Sequence, residues 1–176
     1  MLRYAAIYGG IAGAIVIGVM IAGFIMSGDE GMHGSIWAGY LTMLVALSMI
    51  FIAVKRFRDK EKGGVIKFWP AFGLGLATAA AAGVIYVAVW EVYLAANDYD
   101  FIDSYTESFI EKKKEAGLSG EALEKEAANM KALADNYDNP LFRVPMTFLE
   151  IFPVGLIIAL ISAAILRNPK AFPARA

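Results

Sequence analysis

The chain has no cysteine and a single histidine, and these two shortages restrict the sites that it can hold. Without cysteine, neither a disulfide framework nor a thiolate metal site can form. One imidazole is too few for a histidine-rich metal cluster. The phosphate-loop pattern Gly-x-x-x-x-Gly-Lys-Ser/Thr and the motifs His-Glu-x-x-His and Gly-x-Ser-x-Gly are absent as well. The sequence therefore indicates no catalytic residue, no metal and no cofactor.

Charged residues are sparse for a soluble domain, and apolar residues gather in long runs. Apolar residues make up 59% of the 176, and the mean hydropathy is +0.56, whereas soluble domains are roughly 45–50% apolar. Four runs reach the about 20 residues that cross a bilayer core, and lipid forces them to be helices because every backbone amide must be satisfied internally. We predict an all-α integral membrane protein, a single domain with transmembrane helices at residues 4–26, 36–54, 68–94 and 146–166.

Lysine and arginine concentrate on one side of these four helices. The short loop after helix one carries Asp29 and Glu30 but no positive residue, and with His33 it is expected to be a solvated turn and not a metal site. By the positive-inside rule both termini are predicted to be cytoplasmic. The ten positive residues that support this orientation are Arg3, Lys55, Arg56, Arg58, Lys60, Lys62, Lys67, Arg167, Lys170 and Arg175.

The basic segment after helix two lies next to the bilayer in this topology. Clustered basic residues at that position are typical of contacts with anionic lipid, and their closeness to the membrane argues against a nucleic-acid partner. The residues predicted to contact lipid are Lys55, Arg56, Arg58, Lys60 and Lys62.

Residues 97–140, between helices three and four, form an acidic insertion with eleven acids and five lysines, a balance of −6. Two stripes of apolar residues at helical spacing, separated by a turn at Gly117 to Gly120, predict an extracytoplasmic helical hairpin. The simplest interpretation of its charge is a solvated surface, and the alternative is a docking face for a basic partner or a cation.

Three helices carry small residues at every fourth position, which allows helices to approach closely in lipid. We interpret these stripes as packing faces inside one bundle. The alternative is that one of them, on helix one, forms a homodimer. The stripes are Gly10, Ala14, Gly18 and Ala22; Ala71, Gly75, Ala79 and Gly83; and Gly155, Ala159 and Ala163.

Two acids, Glu91 and Glu150, stand inside apolar runs near the outer ends of helices three and four. Carboxylates in membrane helices are costly and usually serve a function. Arg143 is close enough in sequence to reach either of them, and Pro153 frees the backbone carbonyl beside Glu150. We predict a polar site from these four residues. The alternative is that the two acids are interfacial, with a structural role only.

Aromatic residues mark both predicted membrane surfaces, as expected from rings with an apolar body and a polar tip. The outer set is Trp37, Tyr40, Trp90 and Tyr93, and the inner set is Tyr4 and Trp69.

Several stretches resemble the bacterial membrane proteins grouped as domain-of-unknown-function family 4199. The most characteristic are residues 55–59 with Gly63 and Gly64, and Glu150 with Pro153 and Gly155. The resemblance extends over nearly the whole chain. It implies a four-helix protein of the bacterial inner membrane and implies no activity.

The sequence leaves the function open between different classes of protein. The first hypothesis is a non-enzymatic accessory, assembly or sensing module, which acts in the lipid bilayer with a membrane-protein partner or as a homo-oligomer. The alternative is a small oligomeric transporter or channel that uses Glu91 and Glu150 for proton or cation coupling. A lipid-modifying enzyme is the weakest hypothesis, because no recognised catalytic arrangement is present.

Overall fold

A computed structural model describes residues 1–27 and 36–173. Asp29, Glu30, His33 and Arg175 lie outside the described residues. Within the described ranges the chain is all-helical, as predicted. Its seven helices are α1 (Leu2–Ser27), α2 (Ile36–Leu47), α3 (Met49–Glu61), α4 (Phe68–Ala96), α5 (Phe101–Glu115), α6 (Glu121–Tyr137) and α7 (Pro140–Leu166).

Four stretches of helix are long and apolar enough to cross a bilayer, which confirms the predicted fold class. They are Leu2–Gly23, Gly39–Glu61, Phe68–Ala96 and Pro140–Leu166. The chain is therefore a helical membrane protein. We call the end of the bundle that holds the α3–α4 connection the basic end, and the end that carries α5 and α6 the acidic end.

The second span differs from the predicted single helix at residues 36–54. It is interrupted at Ser48, whose Oγ donates to the Val45 carbonyl at 2.6 Å, a local bond that competes with the helical ladder. It also continues to Glu61, because the charged residues that end the apolar run are themselves good helix formers. The predicted basic loop is thus largely the last turns of α3.

The fourth span begins at Pro140, six residues before the predicted start. Asn139 caps the helix, since its side-chain oxygen accepts from the Leu141 amide at 3.0 Å, and proline is favoured at the first helical position. Arg143 consequently lies inside α7 and not in a loop before it.

The centre of the bundle is α4, which contacts α1, α3 and α7. Its approach to α7 depends on small residues: a methyl group on Gly75 would lie 2.9 Å from the Ala159 Cβ, and one on Gly155 would lie 2.7 Å from the Ala79 Cβ. The predicted stripes on α4 and α7 therefore face each other. Their remaining members Ala71, Gly83 and Ala163 are buried too.

The stripe predicted on helix one does not face the bundle. Ala14, Gly18 and Ala22 are exposed, and nothing lies within 4 Å of the position that a Cβ would take on Gly10 or Gly18. The packing positions are each one residue earlier. They are Gly9, whose Cβ would meet the Thr78 carbonyl at 2.6 Å, and Gly13, whose Cβ would meet the Ala82 carbonyl at 2.6 Å.

The insertion forms α5 and α6, which contact each other, and α6 also contacts α7. Gly117 and Gly120, in the connection between them, have φ of 88° and 61°, values that favour glycine. The ring of Phe101 on α5 meets that of Trp90 on α4 edge-to-face, with 4.8 Å between ring centroids. The apolar side of the insertion thus rests on the acidic end of the bundle.

The two adjacent glycines of α1 give a matched test of which face packs. We expect Gly9→Ala to lower the free energy of unfolding by about 1–3 kcal/mol, the usual cost of overpacking. Gly10→Ala should leave it unchanged or raise it slightly, because alanine is the better helix former. Thermal unfolding of both variants in one detergent measures the difference, and equal melting temperatures would contradict the packing of α1 described here.

Candidate functional site

A two-point ion pair joins α4 to α7 at the acidic end. Arg143 Nε donates to Glu91 Oε1 at 2.8 Å, and Arg143 Nη2 donates to Glu91 Oε2 at 2.7 Å. This two-point arrangement is the strong form of an arginine–carboxylate pair. The Arg143 side chain is 5% exposed and that of Glu91 26%, so the charges neutralise each other at the edge of the bundle.

Arg143 also ties the insertion to the bundle at both ends. Its Nη1 donates to the Tyr137 carbonyl at 2.9 Å, at the end of α6. The ring centroid of Tyr99, just after α4, lies 5.0 Å from the guanidinium carbon, and that of Tyr137 lies 5.7 Å from it. Both distances are within the range of cation–π attraction. One arginine thus contacts α4, α6 and the α4–α5 turn.

The turn that presents Tyr99 has an uncommon backbone. Asp98 and Tyr99 both have positive φ, 52° and 64°, a region that costs non-glycine residues about 1–3 kcal/mol each. The Tyr99 amide donates back to the Leu94 carbonyl at 3.0 Å, which caps α4. The contact of the Tyr99 ring with Arg143 helps to offset this strain.

A hydrogen-bonded aromatic cluster lies beside the ion pair. Trp90 Nε1 donates to Tyr137 Oη at 2.8 Å, and Tyr137 also bonds with the buried Thr147. Burial raises the pKa of Tyr137 above its usual value, while the hydrogen bonds with Trp90 and Thr147 lower it. Trp90 is 4% exposed, so it belongs to this cluster and not to the outer membrane surface where the sequence placed it.

Glu150 lies apart from the ion pair. Within the part of the chain that the structure describes, its hydrogen-bond partner is the buried Tyr86, whose Oη donates to Glu150 Oε2 at 3.2 Å. The Tyr86 Oη also lies 3.4 Å from Met20 Sδ on α1. Seven residues of helical rise, about 10 Å, separate Glu150 from Arg143, whereas Glu91 faces Arg143 directly. The predicted group thus divides into two.

Pro153 takes part in neither cluster. It lies on the exposed side of α7 one turn beyond Glu150, and α7 stays helical through it. The structure therefore places three of the four predicted residues in polar contacts and Pro153 in none. Glu150 and Pro153 are both exposed, whereas Glu91 is half-buried and Arg143 is buried.

The basic segment is only partly available to lipid. Arg56, Lys60 and Lys62 are exposed, and Lys55 pairs with Asp59 at 2.5 Å. Arg58 is 0% exposed, so in the structure it contacts protein and not lipid. Its guanidinium instead binds the Ala171 and Phe172 carbonyls in the segment after α7, with a longer contact to the Leu166 carbonyl at the end of that helix.

The sequence reasoning missed the tyrosines and the tryptophan that complete both clusters. A signal was present: Tyr86, Trp90 and Glu91 lie within two turns of one apolar run, and a buried hydroxyl or indole N–H usually finds a polar partner. Of Tyr86 and Trp90, the sequence alone identifies only Trp90, as a marker of the outer membrane surface.

This set of residues can fasten helices, and it holds one carboxyl, Glu150, without a cationic neighbour in the described structure. Among the described residues no group of three potential ligands can hold a metal ion. The hydrogen bonds of both clusters join different helices.

These features define a helical membrane protein with a joint between its bundle and an acidic insertion. Residues 7–168 match the family model described as "Protein of unknown function (DUF4199)". The match extends over most of the chain, so the chain belongs to this family, as the resemblance indicated. No curated protein and no solved structure shows a significant match.

Removing the arginine of the joint should leave a carboxylate without a partner. We expect Arg143→Gln to lower the free energy of unfolding by about 2–4 kcal/mol, less than a fully buried pair would lose because Glu91 is partly exposed. The double variant Arg143→Gln with Glu91→Gln should lower the free energy of unfolding by less than the sum of the two single variants.

Denaturant unfolding in detergent micelles measures these variants, and Glu111→Gln on the exposed side of α5 is the matched control. The control should change the free energy of unfolding by no more than about 0.5 kcal/mol. Additive losses for Arg143 and Glu91 would show that the pair is not coupled.

Proposed function

We propose that this protein is a non-enzymatic accessory, assembly or sensing module of the bacterial inner membrane. In this proposal both termini are cytoplasmic, and the acidic insertion lies outside the membrane. The observation that carries it is the Arg143 joint, because one buried side chain connects two membrane helices to both ends of the insertion.

The joint favours coupling between the insertion and the bundle. An insertion held only by its two connections could move independently of the helices. Here a displacement of α6 moves the Tyr137 carbonyl, to which Arg143 donates a hydrogen bond. Arg143 in turn is paired with Glu91 on α4, so the displacement reaches that helix. A packed contact with discrete arrangements transmits such displacements better than a flexible loop does. A partner bound to the insertion would thereby influence the membrane helices.

The surface of the insertion favours a basic partner. Ten of its eleven acids are exposed, and only Glu126 is half-buried. A net charge of −6 over residues 97–140 attracts positive segments within about a Debye length, 8 Å at physiological ionic strength. The exposed acids are Asp98, Asp100, Asp103, Glu107, Glu111, Glu115, Glu121, Glu124, Asp135 and Asp138.

The experiment is co-purification in mild detergent from membranes that contain the protein, with two charge variants compared. In the first, Glu121, Glu124, Asp135 and Asp138 are replaced by the corresponding amides. In the matched control, Lys112, Lys113 and Lys114 are replaced by glutamine. We expect a membrane-protein partner that is retained by the wild type and the control and lost from the acid variant. The reason is that charges at the rim of an interface control how fast and how specifically partners associate.

Raised ionic strength should remove the same partner, since exposed charge pairs are screened by salt. Recovery of this chain alone as a monomer would contradict the proposal. A partner held equally by the acid variant would contradict the role of the insertion.

A second candidate function, a small oligomeric transporter or channel, is favoured by Glu150 alone. Glu91 is neutralised by Arg143, whereas Glu150 has an uncharged partner, Tyr86, in the described structure. An acid of this kind within a membrane helix is typical of proton or cation pathways. Four spans are few for a complete transporter, so this function requires several copies.

Proteoliposome flux tests the second candidate. With a proton or potassium gradient, the wild type should conduct, and Glu150→Gln should abolish the flux because the amide cannot carry the charge. Glu107→Gln, on the exposed side of α5, is the control and should conduct normally. Absence of flux in the wild type, or normal flux in Glu150→Gln, would eliminate this candidate.

A further inference from the structure

The segment that follows α7, residues 167–173, folds back onto α3 at the basic end. Arg58 holds it there. Arg58 Nη1 donates to the Ala171 carbonyl at 2.9 Å, and Nη2 donates to the next carbonyl, that of Phe172. The ring of Phe172 meets that of Phe51 edge-to-face, with 5.4 Å between centroids. We call residues 167–173 the latch.

The geometry at Arg58 is that of an oxyanion site filled by the protein's own backbone. Two adjacent nitrogens of one guanidinium face two successive carbonyl oxygens, the same fork that binds two oxygens of a phosphoryl group. Arg58 Nε is committed separately, since it donates to Asp59 Oδ1 at 2.7 Å. Lys55 holds the other oxygen of Asp59, so this carboxylate is neutralised from both sides.

The surroundings of Arg58 favour a phosphoryl group once the latch has moved. Arg56, Lys60 and Lys62 are exposed on the same helix or just after it, and Arg167 and Lys170 are exposed on the latch itself. The net field there is positive, and it attracts phosphate at the headgroup level. Without the latch, Arg58 Nη2 would lose its acceptor and Nη1 would keep only the long 3.5 Å contact with the Leu166 carbonyl at the end of α7. A charged donor left unsatisfied in this way requires a replacement.

The latch is held less firmly than the helices that it covers. Phe172 has φ of 52°, a left-handed conformation that is unfavourable for a residue with a side chain. Its side chain is 57% exposed despite the contact with Phe51. The turn of the latch is closed by its own atoms, since the Lys170 amide donates to Asn168 Oδ1 at 3.0 Å. It can therefore lift without breaking a helix.

We infer that the latch is a releasable cover over a phosphoryl-binding surface centred on Arg58. A phosphate monoester or diester competes with the Ala171 and Phe172 carbonyls for the two guanidinium nitrogens. The group comes either from an anionic lipid headgroup or from a free phosphate. This inference does not depend on the proposed function, because the latch lies at the opposite end of the bundle from the Arg143 joint.

The lack of native cysteine allows a direct test. Ala171→Cys places a single thiol in the half-buried part of the latch, and Lys170→Cys places one at its exposed neighbour as a matched control. The rate of labelling by uncharged N-ethylmaleimide is measured in phosphatidylcholine vesicles. The measurement is repeated with phosphatidylglycerol added, with inorganic phosphate added, and with sodium chloride at the same ionic strength.

We expect phosphatidylglycerol, inorganic phosphate or both to speed labelling of Ala171→Cys by about fivefold, because labelling follows the population of the open state. A response to both assigns the site to phosphoryl groups in general, and a response to phosphatidylglycerol alone assigns it to the lipid headgroup. Lys170→Cys should label at one rate throughout. No response to either phosphoryl source, an equal response to sodium chloride, or an equal response of Lys170→Cys would overturn the inference.

Arg58→Lys provides a second variant that keeps the charge but lacks the fork. In this background Ala171→Cys should label quickly without any phosphoryl source and should show no further response to one. Slow labelling with the full phosphate response would show that the guanidinium is not the site.

Discussion

The contact between the small residues of α4 and α7 sets the position of the rest of the molecule. Gly75 faces Ala159 and Ala79 faces Gly155, so the two helices run antiparallel in one fixed register. Glu91 lies twelve residues after Ala79 on α4, and Arg143 lies twelve residues before Gly155 on α7. The same register therefore brings these two residues together as the ion pair. The pair therefore follows from packing that begins deep in the bundle. Close backbone approach, rather than hydrophobic drive, is what orders helices in lipid.

Both ends of the bundle use the same device. A buried arginine inside a helix, Arg143 at the acidic end and Arg58 at the basic end, binds a carboxylate and backbone carbonyls of a segment outside the membrane core. Guanidinium suits this role because it offers five donors in a rigid plane and stays charged. The Tyr137 carbonyl at the end of α6 is an acceptor that the helix cannot satisfy itself, and the Ala171 and Phe172 carbonyls lie in the turn after α7. Each arginine thus connects a membrane helix to a segment that lies outside the membrane core.

The four spans were predictable from length and hydropathy, because the thickness of the bilayer fixes how many apolar residues a helix needs. Their ends were not. An apolar run stops at the first charge, whereas the helix continues through Arg58 to Glu61 and begins at Pro140 before Arg143. These two arginines do not end their helices because both find partners within the protein, backbone carbonyls after α7 for Arg58 and Glu91 for Arg143.

The packing faces and the polar site were predictable in part. Small residues at every fourth position identified the correct faces of α4 and α7. On α1, small residues occupy the adjacent positions Gly9 and Gly10, and spacing alone does not choose between them. Glu91 and Arg143 stood out as charges in apolar surroundings. The partner of Glu150 was not predictable, because Tyr86 lies on another helix and only the register of α4 against α7 brings it next to Glu150.

The acceptors at Arg58 are main-chain carbonyls, and this affects how the chain can change over generations. A bond to a carbonyl does not depend on the side chain of the residue that provides it. Substitutions at Ala171 and Phe172 can therefore leave the two hydrogen bonds intact as long as the backbone keeps its path and its length from the end of α7, although a change at Phe172 would remove the ring contact with Phe51. These two hydrogen bonds thus constrain Arg58 and the length of the segment, and not the side chains of the two residues that provide the carbonyls.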